Sequence, residues 1–260
     1  MPNPDSIFRL QESIKFVSEL ICKSRNAVIL TGAGISTPSG IPDFRSEGTG
    51  LWSLDEPLEV ASLTTFRHSP EKFFAWIRPL IKLIVEAQPN PAHNAITALE
   101  SAGFLKTIIT QNIDTLHQRS GSKNVYETHG SISSLTCTKC FLKTSSELYI
   151  KPFINEGIIP CCPRCGSILK PDVILFGEQM PHIPWEHTLS AARSCDLMIV
   201  AGSSLEVLPV AGIPMQALDR GAHLVIINQT PTYLGARADA VILDDVAKLM
   251  PEISRQVLGS

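Results

Sequence analysis

At 260 residues, with 44% hydrophobic and 18% charged side chains, the chain is long enough to bury a sizeable core as one large domain, or one domain with an insertion. Its formal charge of -3 gives no electrostatic reason to expect nucleic acid or an anionic membrane as partner, since both call for clustered Lys and Arg. No apolar stretch reaches membrane-spanning length, because Lys82, Glu86 and the prolines interrupt the longest candidates, and the opening MPNPDSIFRLQES lacks the basic start and apolar run of a signal peptide, so a cytoplasmic protein is expected.

Ile14, Val17, Leu20 and Ile21 recur at helical spacing and predict an N-terminal helix. The run Ala27-Val28-Ile29-Leu30 then reads as a buried parallel strand, so the glycines of Thr31 to Ser46 (TGAGISTPSGIPDFRS) fall at a sheet's carboxyl edge, where nucleotides bind. Gly32 and Gly34 remove side chains that would hold a pyrophosphate off the backbone, and the amides around them can cradle anionic oxygens. A dinucleotide fingerprint G-x-G-x-x-G would place glycine where Thr37 stands, and no acidic residue follows on a second strand at the usual distance. A plain dehydrogenase is therefore not expected. Asp43-Phe44-Arg45 sets an acid, an aromatic face and a fixed cation side by side, suited to gripping a cofactor's reactive end or, taken alone, to a solvated surface pair.

Further strands are expected at 105–110, 173–176, 197–201, 224–228 and 240–243, with a short one at 124–126. Helices are expected around 73–85, after Pro91, and at 184–194, 211–219 and 246–257. The alternation indicates an α/β fold with a doubly wound parallel sheet built from residues 1–47, 104–130 and 171–260. Residues 48–103, a helical module, and 131–170, rich in Cys, Thr, Lys and Pro, interrupt the pattern as a smaller second domain over the sheet's carboxyl edge.

Cys137-Thr-Lys-Cys140 and Cys162-Pro-Arg-Cys165 form two C-x-x-C knuckles, whose four thiolates can close a tetrahedral Zn²⁺ shell that leaves no open position, hence a structural site. Cys161 could replace Cys162, but the C-P-x-C-G turn ending in Gly166 favours Cys162. Cys22 and Cys195 are expected to be core residues.

Thr110-Gln111-Asn112-Ile113-Asp114 follows a strand and so joins the same cleft, with adjacent amides suited to a carboxamide or a ribose. His129, in Glu127-Thr-His-Gly130, is the best candidate base among seven histidines, because the glycine after it leaves room for substrate. Gly202-Ser203-Ser204 and Asn228-Gln229-Thr230 each end an apolar strand and suit phosphate and ribose contacts, with turn formation and helix capping as plain competitors.

Taken in order, GAGIS with PDFR, TQNID, the HG pair, the two knuckles, PDVILFGE, GSS and the late NQ resemble a sirtuin, the NAD-dependent protein-lysine deacylase family, over essentially the whole chain. The resemblance implies a Rossmann-type large domain, NAD as co-substrate, a structural zinc, and acetylated lysine in proteins or peptides as substrate. It implies that Ala33, Gly34, Ser36, Ser203 and Ser204 hold the phosphates, that Arg45 contacts the phosphate or ribose portion, and that Asn228 meets the adenosine ribose, with Gly32, Asp43, Gly202, Gln229 and Val246 completing the cofactor side. It further implies that Gln111 and Asn112 address the nicotinamide ribose, Ile113 and Asp114 the carboxamide, and that Phe44 shields the reacting carbon. His129 with Asn112 would be catalytic, and the acyl-lysine would lie along Val173, Ile174, Phe176, Gly177 and Glu178 as an added strand.

Relatives that remove succinyl or malonyl groups carry a Tyr and an Arg three residues apart. The matching stretch, Phe73 to Ile77, has no cation, with Arg78 one position beyond, so acetyl or longer fatty acyl groups are favoured. Mono-ADP-ribosyl transfer and long-chain deacylation are the alternative enzyme readings. A zinc-ribbon binding module is the alternative of another class. The short termini suggest a catalytic core without regulatory tails.

Overall fold

The computed structural model describes residues 4–43 and 57–259, so Phe44 and Arg45 lie outside the described residues. Strands β1 (Ala27–Thr31), β2 (Leu105–Thr110) and β3 (Val125–Glu127) pair in parallel on one side of a six-stranded sheet. Three more strands complete the other side: β7 (Leu197–Ala201), β8 (His223–Asn228) and β9 (Ala240–Leu243), giving the order β3-β2-β1-β7-β8-β9. The chain winds outward in one direction from β1 and in the other from β7, which makes the gap between their carboxyl ends the topological switch point.

Both faces of this sheet are covered, as continuous aliphatic strands require. Ile29, Ile199 and Val225 pack on one face against α1 (Pro4–Lys23), α5 (Pro91–Ser101) and α10 (Val246–Leu258) through Val17, Ile21, Ile96 and Ile253. Their neighbours Val28, Leu30, Met198, Val200 and Ile226 face the opposite way, onto α8 (His182–Ser194) and α9 (Ile213–Leu218) through Ala192 and Ala217. Asn90 fixes the start of α5 by accepting the N–H of Ala92 at 2.9 Å.

Over the carboxyl edge stand α2 (Pro57–Val60), α3 (Leu63–His68) and α4 (Pro70–Glu86). Ser62 caps α3, its side chain accepting the N–H of Thr65 at 3.0 Å. An edge-to-face cluster of Phe66, Phe73 and Phe74, with ring centroids 5.3–6.0 Å apart, fills the interior and extends to Phe153 on α7 (Glu147–Glu156). Beyond it, β4 (Gly130–Cys137), β5 (Lys143–Ser145) and β6 (Leu169–Val173) form an antiparallel sheet in the order β5-β4-β6. Among the described residues no helix is long and apolar enough to cross a membrane.

Two sequence expectations are corrected. The strand expected at 173–176 is instead β6, which ends at Val173 and belongs to the small antiparallel sheet. The following residues turn, because the N–H of Glu178 bonds Leu175 O at 2.9 Å and Gly177 takes φ +87°. Cys22, expected in the core, is exposed at the end of α1, while Cys195 is buried.

Candidate active site

Loops leaving the carboxyl ends of β1, β2, β7 and β8 converge on a cavity of about 900 Å³, closed on its far side by α4 and by the segment after β6. Every residue selected from the sequence for the cofactor, catalytic or substrate side that lies within the described residues lines it, while the four cysteines stand apart. The first loop contributes Gly32, Ala33, Gly34, Ser36 and Asp43, and the second 111–114 with His129. The β7 and β8 loops contribute 202–204, Asn228 and Gln229, α10 contributes Val246, and the segment after β6 contributes Val173, Ile174, Phe176, Gly177 and Glu178.

The glycines answer a second need, which the sequence did not show. A Cβ on Gly34 would stand 2.9 Å from Gly202 O, and one on Gly202, at φ +64°, would stand 2.5 Å from Ile35 N. The two loops therefore touch backbone to backbone across the switch point. Amides of Gly32 and Gly34 are spent on Ala201 O and Gly202 O at 3.2 and 2.9 Å, and those of Ile35 and Ser36 on Gly32 O and Ala33 O. Within 32–36 only the N–H of Ala33 is not committed to one of these backbone bonds, so Gly34 can offer close approach but not its amide.

Polar side chains of the second loop brace the first. The Asn112 amide donates to Gly32 O and to Ser36 Oγ, both at 3.1 Å. Ser36 Oγ in turn donates to Asp114 Oδ2 at 2.6 Å, and Asp114 Oδ1 accepts the N–H of Leu116 at 2.8 Å. Burial pushes the Asp114 carboxyl upward, against the lowering effect of those bonds. Gln111 bridges to the β7 loop, its amide donating to Ser203 Oγ at 2.7 Å. Asn228 holds its own turn by donating to Thr230 O at 2.8 Å.

His129 sits between β3 and β4. Its Nδ1 lies 3.0 Å from Gln111 O, and a carbonyl can only accept, so Nδ1 carries the proton and Nε2 keeps the lone pair. Burial lowers its pKa, while the bond to Gln111 O raises it. His117 has no such position: it is buried, its Nε2 is 2.9 Å from Thr31 Oγ1, and its ring meets that of His93 edge-on at 4.9 Å. It supports the first loop from beneath.

The four thiols of the knuckles lie within 4.8 Å of one another, with Cys137 Sγ 3.5 Å from Cys165 Sγ and Cys140 Sγ 3.6 Å from Cys162 Sγ. Four sulfurs about 2.3 Å from a zinc ion would be separated by about 3.8 Å, so the set fits that ion. Cys161 is exposed, with its thiol directed to Ile159 O, and stands apart from the cluster.

Sequence reasoning missed the contribution of 206–209 and of Trp185, which also line the cavity. Leu208-Pro209 and the aromatic were visible as residue types, but only the crossing of the β7 loop beside α8 brings them to the cleft. The apolar wall from α4 is formed by Trp76, Ile77, Leu80 and Ile84. Arg78 is directed elsewhere, its Nε and Nη2 donating to Ile154 O at 2.9 and 2.6 Å.

The Sir2 family model matches residues 32–209. NAD-dependent protein deacylase 2 of Archaeoglobus fulgidus is 42% identical over 249 residues, 95% of this chain and 97% of the relative. NAD-dependent protein deacetylase 2 of Caldanaerobacter subterraneus is 44% identical over 239 residues, 92% and 94% of the two chains. A solved complex of Sir2 with a p53 peptide and NAD+ superimposes with a TM-score of 0.86 at 36% identity, over 95% of this chain and 99% of the other. Nearly full-length likeness in sequence and in structure makes this chain a member of the Sir2 family.

Proposed function

We propose that the chain is an NAD-dependent protein-lysine deacetylase, which accepts an acetylated lysine of a protein or peptide and yields free lysine, nicotinamide and an acylated ADP-ribose. NAD, when bound, supplies the leaving group and the sugar that receives the acyl group. The observation that carries the reading is His129: its Nδ1–H is fixed on Gln111 O, and burial favours the neutral ring, so Nε2 stands as a base at the cavity wall. In this role it removes a proton from a ribose hydroxyl.

The remaining assignments follow the same cleft. Gln111 and Asn112 orient the nicotinamide ribose. Ile113 and Asp114 hold the carboxamide, since a carboxylate oxygen already bonded to Ser36 or Leu116 retains a second lone pair. Ala33, Gly34, Ser36, Ser203 and Ser204 take the phosphates and Asn228 the adenosine ribose, with Gly32, Asp43, Gly202, Gln229 and Val246 beside them. Phe44 and Arg45 keep the roles implied by the resemblance, shielding the reacting carbon and contacting the phosphate or ribose portion. Zinc on Cys137, Cys140, Cys162 and Cys165 is structural. Val173, Ile174, Phe176, Gly177 and Glu178 face the acyl-lysine.

The acyl group meets Ile77, Leu80 and Ile84 rather than a cation, because Arg78 is held on Ile154 O. That favours acetyl and longer aliphatic acyl groups over succinyl. The division into a nucleotide-binding part (1–47, 104–130, 171–260) and a small part (48–103 and 131–170) places this cleft between the two. Net charge of -3 supports a reading without nucleic acid, and the cytoplasm is the compartment we assign.

Incubation with NAD and an acetyl-lysine peptide, followed by mass spectrometry, tests the reading. Wild-type protein is expected to release nicotinamide in step with deacetylated peptide, and His129→Ala to lose at least about a hundred-fold in turnover with its zinc content unchanged. ADP-ribose gained by a protein acceptor, with the acyl group untouched, would favour mono-ADP-ribosyl transfer instead. Near-wild-type turnover by His129→Ala would refute the base assignment.

A further inference from the structure

The segment that follows β6 is fastened differently on its two sides. Even-numbered residues bond inward: the N–H of Ile174 donates to His129 O at 2.8 Å, and that of Phe176 to Ala61 O at 2.9 Å. Phe176 O also accepts the N–H of Leu63 at 3.0 Å. Odd-numbered residues would expose a strand edge, and here two side chains occupy it. Lys170 Nζ donates to Val173 O at 2.7 Å and to Pro171 O at 3.1 Å. Glu178 Oε2 accepts the N–H of Leu175 at 2.9 Å and pairs with Lys170 Nζ at 2.8 Å. Their side chains are only 13% and 19% exposed, so this pair escapes most of the screening that makes surface ion pairs weak.

We propose that Lys170 is a positioning residue for the acyl-peptide substrate. Acting through Glu178, it keeps the turn 175–178 closed and so fixes the stretch beginning at Gly177 at the cavity mouth. Gly177 and Glu178 line the cavity, whereas Lys170 does not, so the lysine acts through the turn and not by touching substrate. Its backbone is in turn set by the small sheet, where Lys170 pairs with Thr136 and Leu169 with Cys137. The clamp therefore couples the cysteine cluster to the substrate edge. It also closes Leu175 to an incoming strand, which leaves main-chain pairing with a peptide to the residues from Gly177 onward. This inference rests on the deacetylase reading.

Lys170→Met in the full-length, zinc-loaded protein tests it by steady-state kinetics on an acetyl-lysine peptide. Peptide KM is expected to rise about ten-fold, with kcat and the KM for NAD within about two-fold of wild type, and Lys170→Arg to recover most of the loss. Amide exchange at Leu175 and Glu178 should accelerate in Lys170→Met and not in Lys170→Arg. If Lys170→Met does not fold, Lys170→Gln, which keeps a donor but loses the charge facing Glu178, is judged by the same criteria. An unchanged peptide KM, a uniform change in all three constants, or no recovery with Arg would overturn the proposal while leaving the deacetylase reading intact. A wild-type protein that consumes neither NAD nor peptide would instead refute that reading, and this one with it.

Discussion

Strand β1 buries all five of its residues between two helical layers, whereas β5 in the small sheet buries none of its three. The large sheet has a separate extensive aliphatic core on each face. The cysteine-bearing end of the small sheet has four buried members, Leu135, Cys137, Cys162 and Leu169, and two of these are thiols of the metal cluster. Apolar burial at about 25 cal/mol per Å² holds the first region together, and so few residues cannot do the same for the second. There, metal–thiolate bonds take the place of a core, as in small zinc modules generally. The contrast predicts that the two regions answer to different perturbations.

Metal removal is the largest of these. Stripping zinc with a strong chelator, or replacing Cys137 by Ser, removes binding free energy on the order of 10 kcal/mol from the small sheet and almost none from the large one. Hydrogen exchange should then show 134–145 and 161–170 unprotected while β1, β2, β7 and β8 stay protected. Peptide kcat/KM should fall more than about ten-fold, because β6 carries Lys170 and leads into the substrate segment. Retained protection in 134–145 after verified zinc loss would show that packing alone suffices there.

A perturbation aimed at the large sheet is Gly202→Ala. Its Cβ would fall 2.5 Å from Ile35 N and 2.7 Å from Gly34 C, both backbone atoms, at a φ of +64°. Overpacking and the left-handed conformation together should cost about 3 kcal/mol and raise the KM for NAD, with zinc content unaffected. Gly212→Ala is the control, since nothing lies within 4 Å of its added Cβ and its φ is -82°. Urea denaturation of both variants decides the matter, and equal stability would mean that the two loops can separate without loss.

The same contrast explains what could be read in the sequence. Strands at 105–110, 197–201 and 240–243 were legible to the residue, and those at β1 and β8 to within one, because aliphatic runs buried on both faces carry their own signal. The chain from Val173 to Phe176 carries the same signal and misleads. Its apolar side chains face the cavity and the aromatic cluster, and its bonds go to His129 and Ala61, partners that no local pattern reveals. Strands β4 and β5 read GSISSLTC and KTS, without sustained apolar alternation, so neither was expected, and only the cysteine spacing marked the module they belong to. At the cleft, residue types such as the Gln-Asn-Ile-Asp run and His129 were legible as chemistry. Backbone contact between Gly34 and Gly202, 168 positions apart (202 − 34), was not, since it exists only once the sheet has formed.

Acid should act on the large region with the smallest net effect, because buried groups there titrate in opposition. His93 and His117 are held neutral by burial, with pKa values lowered to about 4 and about 3, so the unfolded chain binds protons first as pH falls below 6.5. Between pH 7.5 and 5.5 each histidine therefore withdraws about 1.3 kcal/mol of stability. Glu127 runs the other way. Burial raises its pKa to about 7, its Oε1 has no partner, and protonation in the folded state relieves a buried charge, returning about 1.8 kcal/mol over the same interval. Wild type should thus lose only about 1 kcal/mol on this account, and Glu127→Gln, deprived of the compensation, nearly 3 kcal/mol. Urea titrations at pH 7.5 and 5.5 measure the difference directly. Apart from Asp114, whose charge acts on Glu127, the other titrating groups contribute alike to both proteins, so parallel curves would show that the Glu127 carboxyl is already neutral, or already solvated, throughout.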